Sequence, residues 1–250
     1  MEPQLGLVHF LAQTDGVGKF VLALLLAMSV ATWYLILTKA MQVAGTRKRS
    51  RRFLSDFWAA ANLAEVHGRI HAQGAHDPFS ALAHDAFTAV EQHARRGGER
   101  LIDAGAADEY LTRALRRSIE RTTARLESGL TVLASVGSAA PFVGLFGTVW
   151  GIYHALVAIG LSGQGTLEKV AGPVGEALVM TAAGLAVAIP AVLAYNALVR
   201  SNRMLLAELD GFAHDVFAFA STGARAGETV APAVPAAGIQ PLPRVAQAEG

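Results

Sequence analysis

Residues 128–167 run without a single Asp, Glu, Lys or Arg. That is more than one bilayer crossing requires, since about 20 apolar residues span the roughly 30 Å of hydrocarbon. Two further uncharged stretches are long enough to cross. Residues 20–38, "FVLALLLAMSVATWYLILT", lie between Lys19 and Lys39, and residues 177–199 lie between Glu176 and Arg200. Only 16% of the chain is charged and its apolar residues are unevenly distributed, which excludes an ordinary soluble domain. A cleaved signal peptide is the rival reading for the first stretch. Its basic start is weak, however, and a small-residue cleavage pattern is missing. The expected fold is an all-α integral membrane protein with three transmembrane helices, at 20–38, 128–160 and 173–199.

Basic residues flanking the spans set an expected orientation. Lys39, Arg47, Lys48, Arg49, Arg51 and Arg52 follow the first span, and Arg113, Arg116, Arg117, Arg121 and Arg125 precede the second. Arg200 and Arg203 follow the third, whereas the outer segments carry only Lys19 and Lys169. All three spans therefore agree on an outer N-terminal segment (1–19), an inner segment (39–127), a short outer loop (161–172) and an inner C-terminus. In a Gram-negative cell the outer side is the periplasm.

The inner segment reads as helical, with breaks at "HDP" (76–78) and "RGG" (96–98). Leu111, Leu115, Ile119, Thr122, Leu126 and Leu130 form one helical stripe that leads into the second span. Leu205, Leu209, Phe212, Val216 and Phe219 continue the third span inward as an extension over 200–221. Helices two and three thus overshoot the bilayer and must pack on each other and on neighbouring copies. The tail at 222–250 is rich in Pro, Ala and Gly without an apolar period, so it reads as disordered.

Several chemistries are excluded. A net charge of +1 gives no case for nucleic acid, and the absence of Cys removes thiolate and disulfide chemistry. No phosphate-binding loop, dinucleotide fingerprint or nucleophile elbow is present. His67 and His71 stand four apart, but no carboxylate geometry makes them a metal site. We expect no enzyme, no cofactor and no metal. The arginines and lysine at 47–52 have the chemistry to contact anionic lipid or a partner, but a positive-inside flank explains them fully.

The polar residues inside the spans carry the functional argument. Gly137, Pro141, Gly144, Thr148, Gly151 and Ala155 recur at helical spacing in the second span, as do Ala177, Thr181, Gly184, Ala188, Ala191 and Tyr195 in the third. Small residues let helices in lipid approach closely, and a hydroxyl among them can bond across the interface. Either the two stripes pack on each other, or both face a lumen in which one threonine from each supplies the hydroxyl. A lumen requires an oligomer, because three spans cannot enclose one. Pro173 suggests a helix start. Glu176 would then lie in the first turn, where the helix dipole favours a carboxylate by up to about 1 kcal/mol. Deeper in the bilayer, a charge costs about 2.5–3.5 kcal/mol and marks function. Glu176 and Thr181 do not share a face. His154 reads as an interface histidine.

"GLFGTVWGI" (144–152) and "GEALVMTAAGLAVAIPAVLAYN" (175–196) resemble the signature of the ExbB/TolQ/MotA family of proton-channel stators. The resemblance covers residues 15–220, with the three-span layout favouring the ExbB/TolQ branch and the "IPAVLAYNALVRSN" exit favouring ExbB within it. It implies an inner-membrane homopentamer whose second and third spans line a central pore. Inside that pore would sit the transmembrane helices of an ExbD-like subunit, each bearing an essential aspartate. Through a TonB-like protein, proton-driven motion would energise outer-membrane uptake of siderophores and vitamin B12. Thr148 and Thr181 match the pore-lining threonines, and Glu176 matches a glutamate near the outer end. The alternatives are a TolQ-type role in envelope constriction and a non-conducting scaffold for a membrane partner. The segments "YHAL" (153–156) and "GPVGE" (172–176) depart from the family pattern.

Overall fold

The computed structural model describes residues 15–60, 63–96, 102–162 and 167–222, and all its regular structure there is helical. The helices are α1 (Gly16–Ala59), α2 (Leu63–Gln73), α3 (Pro78–Arg96), α4 (Ile102–Glu127), α5 (Leu130–Ser162) and α6 (Leu167–Thr222). Three stretches are long and apolar enough to cross a membrane, in α1, across α4 and α5, and in α6. The tail beyond Thr222 and the segment before Asp15 lie outside the described residues.

Local signals account for most helix ends. Asp15 caps α1, its Oδ1 accepting from the Gly18 amide at 2.8 Å. With no proline on the way, α1 continues past Lys39 to Ala59, about 66 Å at roughly 1.5 Å per residue. The "HDP" stretch is the turn into α3: Pro78 occupies the first helical position, and Asp77 Oδ1 accepts from the amides of Phe79 and Ser80 at 3.0 and 3.3 Å. The stripe leading from α4 into α5 is interrupted at Ser128–Gly129. There Gly129 adopts φ +82°, a conformation that costs a side-chain-bearing residue energy.

The start of α6 differs from expectation. Instead of beginning at Pro173, the helix is already formed at Leu167, with Pro173 and Pro190 inside it. An interior proline removes one backbone hydrogen bond, a loss a 56-residue helix tolerates when good helix formers such as Leu167–Ala171 precede it. Glu176 is consequently the tenth residue of α6, in its third turn. The dipole argument for it fails, because that field falls off within the first turn.

Two apolar cores hold the bundle. The first gathers Phe57 of α1, Phe79 of α3, Leu111 and Leu115 of α4, and Leu209, Phe212 and Val216 of α6. Phe212 is its hub, with ring centroids 5.0 Å from Phe57 and 5.5 Å from Phe79. His67 sits edge-on to Phe87 in this region, and the His71 side chain lies outside the described residues. The second core packs Val21 and Leu25 of α1 against Leu133, Val136 and Ala140 of α5 and Met180, Val187 and Ala191 of α6. Thus α5 and α6 form an antiparallel pair, with α1 along one side and the first core at one end.

Candidate functional site

The small-residue stripes of α5 and α6 meet each other. A Cβ on Gly144 would lie 2.6 Å from the Met180 carbonyl oxygen and 3.1 Å from Gly184 Cα, and one on Gly184 would lie 2.6 Å from the Ala140 oxygen. A Cβ on Gly137 would strike Val192 Cγ2 at 2.6 Å, and one on Gly151 would touch Ala177 Cβ at 3.0 Å. The backbones are therefore in direct contact over several turns, as small residues permit. Ala188 is buried in the same seam. Pro141 is only half-buried, and Ala140 beside it occupies the contact position. Gly147 is one that a single-stripe reading misses, because it faces both Met180 and Val21 of α1, each at 3.1 Å.

Thr148 and Thr181 come together at the centre of this seam, their hydroxyl oxygens 2.5 Å apart. Thr148 Oγ1 also lies 3.2 Å from the Gly144 oxygen and 3.2 Å from the Ala177 oxygen. A hydroxyl has one proton, and carbonyls only accept. The arrangement that satisfies most groups has Thr181 donating to Thr148, and Thr148 donating to one of the two carbonyls. Buried Thr148 then both donates and accepts, while half-buried Thr181 only donates and keeps both acceptor lone pairs unused among the described residues. The pair can polarise and accept hydrogen bonds, but it holds no titratable group of its own.

Glu176 stands on α6 about 7.5 Å further along the axis from Thr181, five residues at roughly 1.5 Å each; its side chain lies outside the described residues. His154 does not join the threonines. It is exposed at the far end of α5, its Nδ1 3.2 Å from the Trp150 carbonyl oxygen and its Nε2 4.0 Å from Asp15 Oδ2. Trp150 Nε1 donates to the same Asp15 oxygen at 2.7 Å, tying the start of α1 to α5. That bond, followed by the Gly18 amide, holds the Asp15 carboxyl below its ordinary range, with His154 and Lys19 adding to the effect. Asp15 and Trp150 escaped the sequence reading, although an Asp before an apolar run is a helix-start signal. Arg47, Lys48, Arg49, Arg51 and Arg52 are exposed on the C-terminal half of α1.

The model of the MotA/TolQ/ExbB proton channel family matches residues 83–211, a region containing both stripes and both threonines. This chain belongs to that family. The biopolymer transport protein ExbB of Xanthomonas campestris pv. campestris is 42% identical over 230 residues, covering 89% of this chain and 91% of that protein. The biopolymer transport protein ExbB of Neisseria meningitidis serogroup B is 44% identical over 200 residues, covering 80% and 89%. The Tol-Pal system protein TolQ of Pseudomonas aeruginosa is 35% identical over 199 residues, covering 80% and 85%. Identity to these ExbB proteins exceeds that to the TolQ protein. As a member of a channel family with three membrane-crossing helices, the chain is a multi-pass inner-membrane protein of a transport family.

Proposed function

We propose that this chain is the channel-wall and stator subunit of an ExbB-type motor, coupling the proton motive force through a TonB-like protein to outer-membrane uptake of siderophores and vitamin B12. The observation that carries this reading is the Thr148–Thr181 pair, a hydrogen-bonded polar contact in an otherwise apolar seam within the segment matched by the proton-channel family. Three spans cannot enclose a lumen, so the working unit is a homo-oligomer, a pentamer by family resemblance. The transmembrane helices of an ExbD-like partner occupy its centre. The partner's aspartate carries the proton, and the free acceptor face of Thr181 receives a hydrogen bond from it when protonated. Glu176 lies nearer the outer mouth of the same wall. One proton falling through 100 mV supplies about 2.3 kcal/mol, so several protons drive each stroke. The basic flanks support an N-terminus in the periplasm and a C-terminus in the cytoplasm.

The test replaces both hydroxyls with methyl groups of the same shape. Thr148→Val with Thr181→Val in the whole chain is expected to assemble normally with its partner and to lose proton-gradient-dependent iron uptake. Undiminished uptake by that variant would exclude the channel-wall role and leave a non-conducting scaffold. If uptake never depended on the chain while cell constriction did, the TolQ-type role would hold.

A further inference from the structure

We propose that a cavity where the inner ends of the three spans converge binds the headgroup of an anionic phospholipid. The cavity, about 240 Å³, opens between α1, the turn before α3, the α4–α5 break and α6. Its position is set by the charge pattern. Lys39 is the first charged residue after the first span, Arg125 is the last basic residue before the second, and Asn202 follows the first charge after the third. All three line the cavity, which therefore lies at the level of the phospholipid phosphates.

Its chemistry fits a phosphodiester. Lys39, Arg47 and Arg125 come from two different helices, and none has a carboxylate within ion-pair distance among the described residues. Lys39 Nζ donates to the Arg125 carbonyl oxygen at 3.3 Å, and Arg47 Nη2 to Ser201 Oγ at 3.1 Å, each leaving further donors unused. Asp77, the acidic residue in the lining, is already engaged by Ser50 Oγ, by Ser80 Oγ and by the amides of Phe79 and Ser80. Three cations thus face one occupied carboxylate. Asn202 Nδ2 donates to the Leu126 oxygen at 3.1 Å, pinning the wall where the helix breaks. Part of the lining is apolar, including Val43, Leu130 and Leu198, which suits the glycerol and upper acyl carbons. A free anion would use the cations and leave these apolar side chains uncovered. The site extends beyond a diffuse positive flank, because its donors converge on one cavity, and it does not depend on the channel reading.

The test is native mass spectrometry of the full chain in detergent, with added dioleoyl phosphatidylglycerol, dioleoyl phosphatidylcholine or inorganic phosphate. Phosphatidylglycerol is expected to be retained about ten-fold more tightly than phosphatidylcholine, the fold-change of one hydrogen bond to a charged group. Arg47→Gln with Arg125→Gln is expected to abolish that preference. Arg203→Gln, which removes an exposed charge outside the cavity, is expected to leave it. Gln42→Trp fills the cavity while keeping every charge and is expected to weaken retention as well, so the test stands even if the arginine variants misfold. Equal retention of the two lipids, an equal loss in Arg203→Gln, unchanged retention in Gln42→Trp, or complete displacement by inorganic phosphate would each overturn the proposal.

Discussion

A methyl group added to Gly144 would sit 2.6 Å from the Met180 carbonyl oxygen, and one added to Gly184 the same distance from that of Ala140. The obstacle in both cases is backbone, which cannot rotate away as a side chain can. Alanine is worth about 1 kcal/mol over glycine in a helix interior, whereas overpacking a filled interface costs about 1–3 kcal/mol. The steric effect wins where the contact is this close. Gly144→Ala and Gly184→Ala are therefore expected to lower the thermal transition of the detergent-solubilised chain. Gly211→Ala, with nothing within 4 Å of the added carbon, is expected to raise it. A Gly144→Ala transition as high as that of Gly211→Ala would mean that α5 and α6 do not meet through their glycines. The threonines depend on this seam, because a hydroxyl pair at 2.5 Å survives only if the helices cannot separate.

At the level of elements, the start of α1 is fastened twice: by its own cap at Asp15, and by Trp150 reaching the same carboxylate from α5. Both bonds favour the ionised form, which lowers the carboxyl pKa below its ordinary 3.8. The stabilisation is fully present above that value and is lost as pH falls through the lowered one. Solvent screening keeps its size small, since the group is substantially exposed. Trp150→Phe is expected to move the Asp15 titration, followed by carbon NMR of the carboxyl, upward toward 3.8. An unmoved titration would mean that the α1–α5 tie is absent in the membrane. Neither partner reveals the other in the sequence, because 135 positions separate them. The spans themselves were legible, since lipid demands long uncharged runs and nothing else in the chain resembles them. So was the presence of one threonine in each stripe. The register that joins Thr148 to Thr181 was not, because it depends on how two helices slide past each other and is written in neither alone. The start of α6 was misread for a different reason: proline favours a first turn without forbidding a later position.

For the whole molecule, the small-residue seam is used up inside the protomer, so copies of the chain cannot meet through it. What α5 and α6 present outward is large and apolar, including Phe142, Leu145, Phe146 and Val149 on one helix and Leu185, Ile189 and Leu193 on the other. The exposed face of α1, with Phe20, Val30, Trp33 and Leu37, is of similar character. Composition alone does not distinguish a face that meets lipid from one that meets another copy, but α1 flanks only one side of the α5–α6 pair. If the pair lines a shared lumen, its other side must contact the neighbouring copy. An arginine in any of these faces carries a comparable insertion cost of about 2.5–3.5 kcal/mol, so Trp33→Arg serves as a matched control. Phe146→Arg and Ile189→Arg are expected to reduce the native mass from that of the oligomer to that of one chain, while Trp33→Arg keeps the assembly. Retention of the full oligomer by both α5 and α6 variants, with dissociation by Trp33→Arg, would place α1 at the interface and move the lumen away from Thr181.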